Sequence, residues 1–268
     1  MSDESLVLTR REGDFLLVTL NREAKRNALT LAMTEQVAEA VASADSMPEV
    51  RAVIVNANGP TFSSGIDLMD LMAHRAQAGD LHMGRFLRRL AARLQEALNR
   101  IEATEVPVIG ALHGKVIGMG LELALAFDLR VAAPGTLLSI PEARLGLVAD
   151  VGGTTRLSRT VGPSRAKDLL MTAREIGTEE SLAWGLVNRV ADGDDPLPHA
   201  IAFAEEIAKN APLAVGMAKL IIDQGDGLDK ATQMALERWA QSQLITTEDV
   251  MEAMGAFMEK RKPKFRGR

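Results

Sequence analysis

The chain has 268 residues, 47% hydrophobic and 25% charged, with a net charge of −5 and no cysteine. These values fit a globular protein with a large buried core; they exclude disulfides and thiolate metal sites and disfavour broad binding to nucleic acid. No uncharged apolar stretch is long enough for a bilayer, and the opening MSDESLVLTRR lacks a basic start ahead of an apolar run, so a cytoplasmic protein with no membrane partner is expected.

Two β-rich runs come first, at residues 6–10 (LVLTR) and 15–21 (FLLVTLN), turned through Gly13 and Asp14. The Ala- and Glu-rich segment 30–45 predicts a helix, and VRAVIVNA (50–57) a buried strand. TFSSGID (61–67) reads as a loop of small residues. Over 81–103, Met83, Leu87, Leu90, Leu94, Leu98 and Ile101 recur at steps of three and four, the clearest amphipathic helix in the chain. VPVIGALHG (106–114) reads as a strand, followed by a glycine turn and the apolar helix GMGLELALAF (118–127). Strand-like runs recur at 129–133 and 137–143. Helical patterns then dominate, at 164–173, 178–185, 196–211, 213–222, 228–245 and 248–260, with Thr178 read as a cap ahead of Glu179 and Glu180. The order predicts an α/β core over residues 1–190 and a helical extension over 191–268.

Several motifs come close to known chemistry and miss it. Gly118-x-Gly120 lacks the third glycine of a dinucleotide fingerprint, because Leu123 stands there. Gly110 to Lys115 is one residue short of a phosphate loop, and Gly162 to Ala166 lacks the last glycine of a nucleophile elbow. His74, His82, His113 and His199 are too scattered to suggest a metal site.

What remains is the backbone at the glycine turn. Gly118 and Gly120 let the main chain approach a ligand, and the following helix start presents unpaired N–H groups. Such donors stabilise a developing oxyanion. Glu122 lies in that first turn, where burial raises a carboxyl pKa and the helix dipole lowers it. A salt-bridged structural glutamate is the bland alternative. A second glycine loop at Gly65 offers another N–H, and Pro141-Glu142 and Asp150 add two further acids. The last ten residues, EKRKPKFRGR, carry six basic groups and one acid, a tail read either as a solvated end or as a grip for phosphate.

Jointly, NREAKRNAL (21–29), FSSGIDL (62–68), the stretch 107–133, PEARLGLVADVGGTTRLSRTVG (141–162), AWGLVNRV (183–190) and MEKRKPKF (258–265) resemble the enoyl-CoA hydratase/isomerase, or crotonase, superfamily over nearly the whole chain. The resemblance implies a spiral of strand–strand–helix repeats with a C-terminal helical region that builds a homotrimer or a dimer of trimers. It implies an acyl-CoA thioester as substrate, no separate cofactor and no metal. The thioester oxygen would meet the N–H groups of Ile66 and Met119, the latter at a position more often Gly or Ala. Glu122 would orient and activate water, and Glu142 would donate the proton to the α-carbon. Ser64, Gly65, Asp67, Gly118 and Gly120 would line the substrate. Lys25 and Arg26 would reach CoA phosphates or adenine, and Lys260, Lys262, Lys264 and Phe265 the CoA of a neighbouring subunit. Asp150, within ADVG, and the GIDLMD loop are instead similar to dienoyl-CoA isomerases, which carry Asp at the position of Glu122. The expectation is therefore a hydratase of the fatty-acid β-oxidation type, with a dienoyl-CoA isomerase using Glu142 and Asp150 as the alternative. A noncatalytic acyl-CoA carrier or an RNA-binding relative using the basic tail ranks behind both.

Overall fold

The computed structural model describes residues 5–268; residues 1–4, part of the opening stretch read above for a signal, lie outside the described residues. In chain order the elements are β1 (Val7–Glu12), β2 (Phe15–Leu20), α1 (Leu31–Ala42), β3 (Ala52–Ala57), α2 (Leu68–Gln77), α3 (Met83–Glu102), β4 (Val108–Leu112), β5 (Lys115–Ile117), α4 (Met119–Leu125), β6 (Leu129–Ala132) and β7 (Leu137–Ser139). There follow α5 (Gly153–Val161), α6 (Pro163–Thr172), α7 (Thr178–Trp184), β8 (Arg189–Val190), α8 (Leu197–Ala208), α9 (Pro212–Gly225), α10 (Lys230–Leu244) and α11 (Glu248–Glu259).

The strands form two sheets. The wide one has the order β1-β2-β3-β4-β6-β8, antiparallel only between β1 and β2. Its central strands are covered on both faces, which is why they read as unbroken apolar runs. Leu16, Val18, Val53 and Val55 point into the main core with α1 and α3. Phe15, Leu17, Ile54, Ile109 and Val131 point to the other face, where Ala200 and Ala204 of α8 cover them. Packing on the sheet thus continues past residue 190 into the first helix of the C-terminal segment.

The second sheet is narrow and builds the site. β5 pairs with β7, Ser63 bridges to Val116, and Leu138 bridges to Ile176; Leu29 bridges to Ile66 beside it. Each pass of the chain therefore gives a strand to the wide sheet, a short extended piece to the narrow one, and then a helix. That is the strand–strand–helix spiral.

Helix ends follow local chemistry. Thr30 caps α1, its hydroxyl accepting from the N–H of Met33 at 3.0 Å. The apolar face of α3 buries Phe86, Leu90, Leu94, Ala97, Leu98 and Ile101, while Met83 lies exposed in its first turn. Thr178 is the first residue of α7 and not its cap: the cap position is Gly177, and the buried Thr178 hydroxyl donates to Ala133 O and Thr136 O. Towards the C-terminus burial thins out, with only Ala240 buried in α10 and only Asp249 and Ala256 in α11. No helix among the described residues is long and apolar enough to cross a membrane.

Candidate active site

The loop after β3 is assembled around the buried side chain of Asn27, which lies within the stretch 21–29. Its amide nitrogen donates to Asn58 O and Thr61 O at 2.8 Å each, and its oxygen accepts from Arg22 N at 2.8 Å. Arg26 and Asn27 both hold left-handed backbone (φ 51° and 50°), a conformation that asparagine tolerates better than most residues. Ser63 Oγ donates to Asn27 O at 2.9 Å and accepts from Gly65 N at 3.1 Å, while Ser64 N donates to Arg26 O at 3.0 Å. Lys25 and Arg26 are exposed on the outside of this junction.

These bonds set the amide of Ile66. Leu29 N donates to Gly65 O at 2.8 Å and Asp67 N donates to Leu29 O at 2.9 Å. In such a parallel bridge the N–H of Ile66 points away from Leu29, and among the described residues it has no hydrogen-bond acceptor. Gly65 (φ +94°) must be glycine: a Cβ there would lie 2.9 Å from Ile117 O and 3.7 Å from Met119 N. The glycine brings the two candidate oxyanion donors, Ile66 and Met119, onto neighbouring stretches of chain.

Met119 opens α4, so its N–H belongs to the first turn, which a helix leaves unpaired; it too has no acceptor among the described residues. Gly118 N is tied to Ser139 O at 2.8 Å, and Gly118 O accepts from Leu121 and Glu122 N–H. A Cβ on Gly120 would meet Ser63 Cβ at 2.7 Å, so α4 starts hard against the first loop. Arg130 holds the far end of the helix. It is buried, donates to Ala124 O at 3.1 Å and Phe127 O at 2.7 Å, and burial pushes its pKa down to about 10.

Glu122 is 2% exposed. Its Oε1 accepts from Val151 N at 2.9 Å and Gly153 N at 2.8 Å, at the start of α5. Among the described residues it has no cationic partner, unlike a salt-bridged structural glutamate. Burial raises its pKa to about 7; the Gly153 and Val151 N–H groups pull against that rise, and the carboxylates of Glu142 and Asp150 add to it.

Glu142 follows β7 in a single helical turn, Glu142–Leu145. Its Oε2 is buried without a hydrogen-bond partner, and desolvation, with Asp150 adding, raises its pKa. Asp150 is more exposed, and burial raises its pKa as well. Three acids that sequence places up to 28 residues apart thus share one electrostatic neighbourhood.

Other expected contacts fall elsewhere. Asp67 uses both carboxylate oxygens within the protein: Oδ1 accepts from Met69 N and Asp70 N as the cap of α2, and Oδ2 pairs with Arg22 at 2.6 Å. That internal engagement holds its carboxyl below the usual range against a desolvation that works the other way. The C-terminal tail folds onto its own helix. Arg261 pairs with Glu252, Lys264 N donates to Glu252 Oε1, and Arg266 N and Gly267 N donate to Asp249. Arg51 reaches Phe265 O at 3.5 Å, and Lys260 and Lys262 are exposed. None of these tail contacts is to Glu122, Glu142 or their loops. Among the described residues no three His, Asp or Glu side chains are grouped to hold a metal ion.

This geometry agrees with what the chain is similar to. The family model for enoyl-CoA hydratase/isomerase matches residues 10–268. Enoyl-CoA hydratase domain-containing protein 2, mitochondrial, of Mus musculus is 38% identical over 256 residues, covering 94% of this chain and 84% of that protein. The short-chain-enoyl-CoA hydratase of Clostridium acetobutylicum is 35% identical over 257 residues, covering 96% and 95%. The crystal structure of an enoyl-CoA hydratase from Bacillus anthracis matches with a TM-score of 0.90 at 33% identity, covering 98% of this chain and 100% of that one. With this fold, these two bare amides and a family match over almost its full length, the chain belongs to the enoyl-CoA hydratase/isomerase family.

Proposed function

We propose that this protein is an enoyl-CoA hydratase, adding water across the α,β double bond of an enoyl-CoA thioester. The observation that carries the reading is the meeting of two unpaired backbone N–H groups, Ile66 and Met119, with two carboxyl groups of raised pKa, Glu122 and Glu142. In the reaction the water oxygen bonds to the β-carbon and gives up a proton to a carboxylate. The α-carbon takes a proton from the other acid, and the negative charge gathers on the thioester oxygen. The two amides stabilise that oxygen, a contribution of roughly 3–4 kcal/mol per donor in known oxyanion holes. Glu122, oriented by two N–H groups and with a pKa of about 7, suits the activation of water near neutral pH. Glu142, with its bare buried Oε2, suits proton delivery to the α-carbon.

No cofactor enters this scheme beyond the CoA carried by the substrate. Lys25 and Arg26, exposed beside Ser64, are assigned to the CoA phosphates or adenine. The thinly buried helices α9–α11 are assigned to contacts between copies, in a trimer or a dimer of trimers, and the basic tail to a neighbour's CoA.

The reading is tested with crotonyl-CoA. The conjugated absorbance is expected to fall, the product to gain the mass of water, and Glu142→Gln to abolish both changes. A second reading, dienoyl-CoA isomerisation through Glu142 and Asp150, is favoured by the proximity of Asp150 to both glutamates. Rapid turnover of a dienoyl-CoA with crotonyl-CoA unchanged would select it.

A further inference from the structure

Ile66 and Met119 also line a small recess together with Leu29, Leu90, Leu94, Asp70 and His74. Its free volume is about 10 Å³, at the lower limit for one water molecule and far below the roughly 150 Å³ of a cavity that accepts benzene. Leu29, Leu90, Leu94 and Met119 are all buried and belong to the main core, so the recess cannot widen without repacking neighbours already in contact. Asp70 and His74 make part of its wall polar. His74 Nε2 lies 3.7 Å from Asp70 Oδ2, and the same oxygen accepts from Leu31 N at 3.0 Å. An alkyl chain reaching them would displace hydration from both groups, an unfavourable exchange.

An acyl chain leaves the carbonyl carbon whose oxygen the two amides hold, and a recess lined by those same two residues borders that point. Met119, 2% exposed, forms part of the wall of that recess. We infer that Met119 is the specificity-determining residue that limits this protein to short acyl chains, because its side chain occupies the space a longer chain needs. The inference rests on the acyl-CoA reading above. Met119 therefore acts twice: its N–H faces the thioester oxygen, and its thioether closes the pocket. Substitution to alanine keeps the first role and, by deleting Cγ, Sδ and Cε, removes the second.

The test measures binding of two saturated thioesters, butanoyl-CoA and decanoyl-CoA, by titration calorimetry, alongside turnover of crotonyl-CoA and decenoyl-CoA. Met119→Ala is compared with wild type and with Leu71→Ala, a half-buried position on the α2 wall of the recess that packs against the core from its edge. The expected result is a preference of wild type for the short thioester in both assays. In both variants the long-to-short ratio is expected to rise by about tenfold or more, the range associated with methylene-sized changes in an apolar pocket. Equal binding of both lengths by wild type, or an unchanged ratio in folded Met119→Ala, would overturn the inference and leave the hydratase reading standing. Binding with the expected ratios but no turnover would remove the hydratase reading and keep Met119 as the length gate. If neither thioester binds, both readings fall.

Discussion

The carboxylate of Glu142 lies over the α-carbon of Gly118: a Cβ built there would come 2.6 Å from Glu142 Oε1. Gly118 also holds φ 53° and ψ −123°, a region open to glycine almost alone. Gly118→Ala is therefore expected to displace Glu142 and turn the Met119 N–H together. Turnover of crotonyl-CoA is expected to fall at least about 100-fold, the usual worth of a positioned acid. Denaturant titration is expected to show a stability loss of about 1–3 kcal/mol.

Glu122 carries a pH signature. Burial raises its pKa from 4.5 to about 7. Between those values the folded chain holds a proton that the unfolded chain has released, so its contribution to stability falls as pH rises through that window. Glu122→Gln keeps an oxygen for the Val151 and Gly153 N–H groups and removes the ionisation. The variant is expected to be more stable than wild type by about 3 kcal/mol above the window and about equal to it below, while losing hydration. Denaturation midpoints across the pH range check the first part and a crotonyl-CoA assay the second.

Asp150 separates the two candidate reactions. Its charge helps to raise both glutamates, so Asp150→Asn is expected to retain hydration and move the pH–rate profile to lower pH. Collapse of turnover in this variant, measured with enoyl- and dienoyl-CoA in parallel, would point to Asp150 as a catalytic acid.

Asn27 tests the scaffold. Asn27→Ala leaves Arg22 N, Asn58 O and Thr61 O without their partner. The expected cost is about 3 kcal/mol in denaturant titration. Some loss of turnover is expected even where the variant is fully folded, because the Ile66 amide is set by the same loop; kcat under folding conditions reads it.

The wide sheet was legible because strands buried on both faces must be written as apolar runs, and the 3.6-residue period exposed α3. Other elements left little trace. The helix α2 buries no residue fully and is held by the Asp67 cap and Leu71, so it shows no apolar stripe. β5 is only three residues long, and its pairing with β7 depends on chain distant in sequence. Glu122, Glu142, Ile66 and Met119 could be named from motifs, and the structure brings all four to one end of α4 and its flanking loops. The partners that hold them carry no such mark: Asn27 and Arg130 lie inside the stretches 21–29 and 107–133, but a single amide and a single charge do not reveal by residue type or spacing what each holds. The available hint was steric, since adjacent left-handed residues favour Asn and Gly. Asp67 read as a ligand contact because its motif sits beside the loop glycine, yet the same position also begins a helix, and capping claims the carboxylate.

Among the described residues, Glu122, Glu142 and Asp150 form no ion pair with a lysine, arginine or histidine. Within one copy of the chain their charge meets backbone dipoles and a raised proton affinity, so the protonation of the trio is expected to respond to what occupies the site. Arrival of a polyanionic thioester deepens the local negative potential, and the acids are expected to answer by drawing protons from solvent. Substrate capture and proton uptake then become one thermodynamic event, and affinity declines as the medium grows more alkaline.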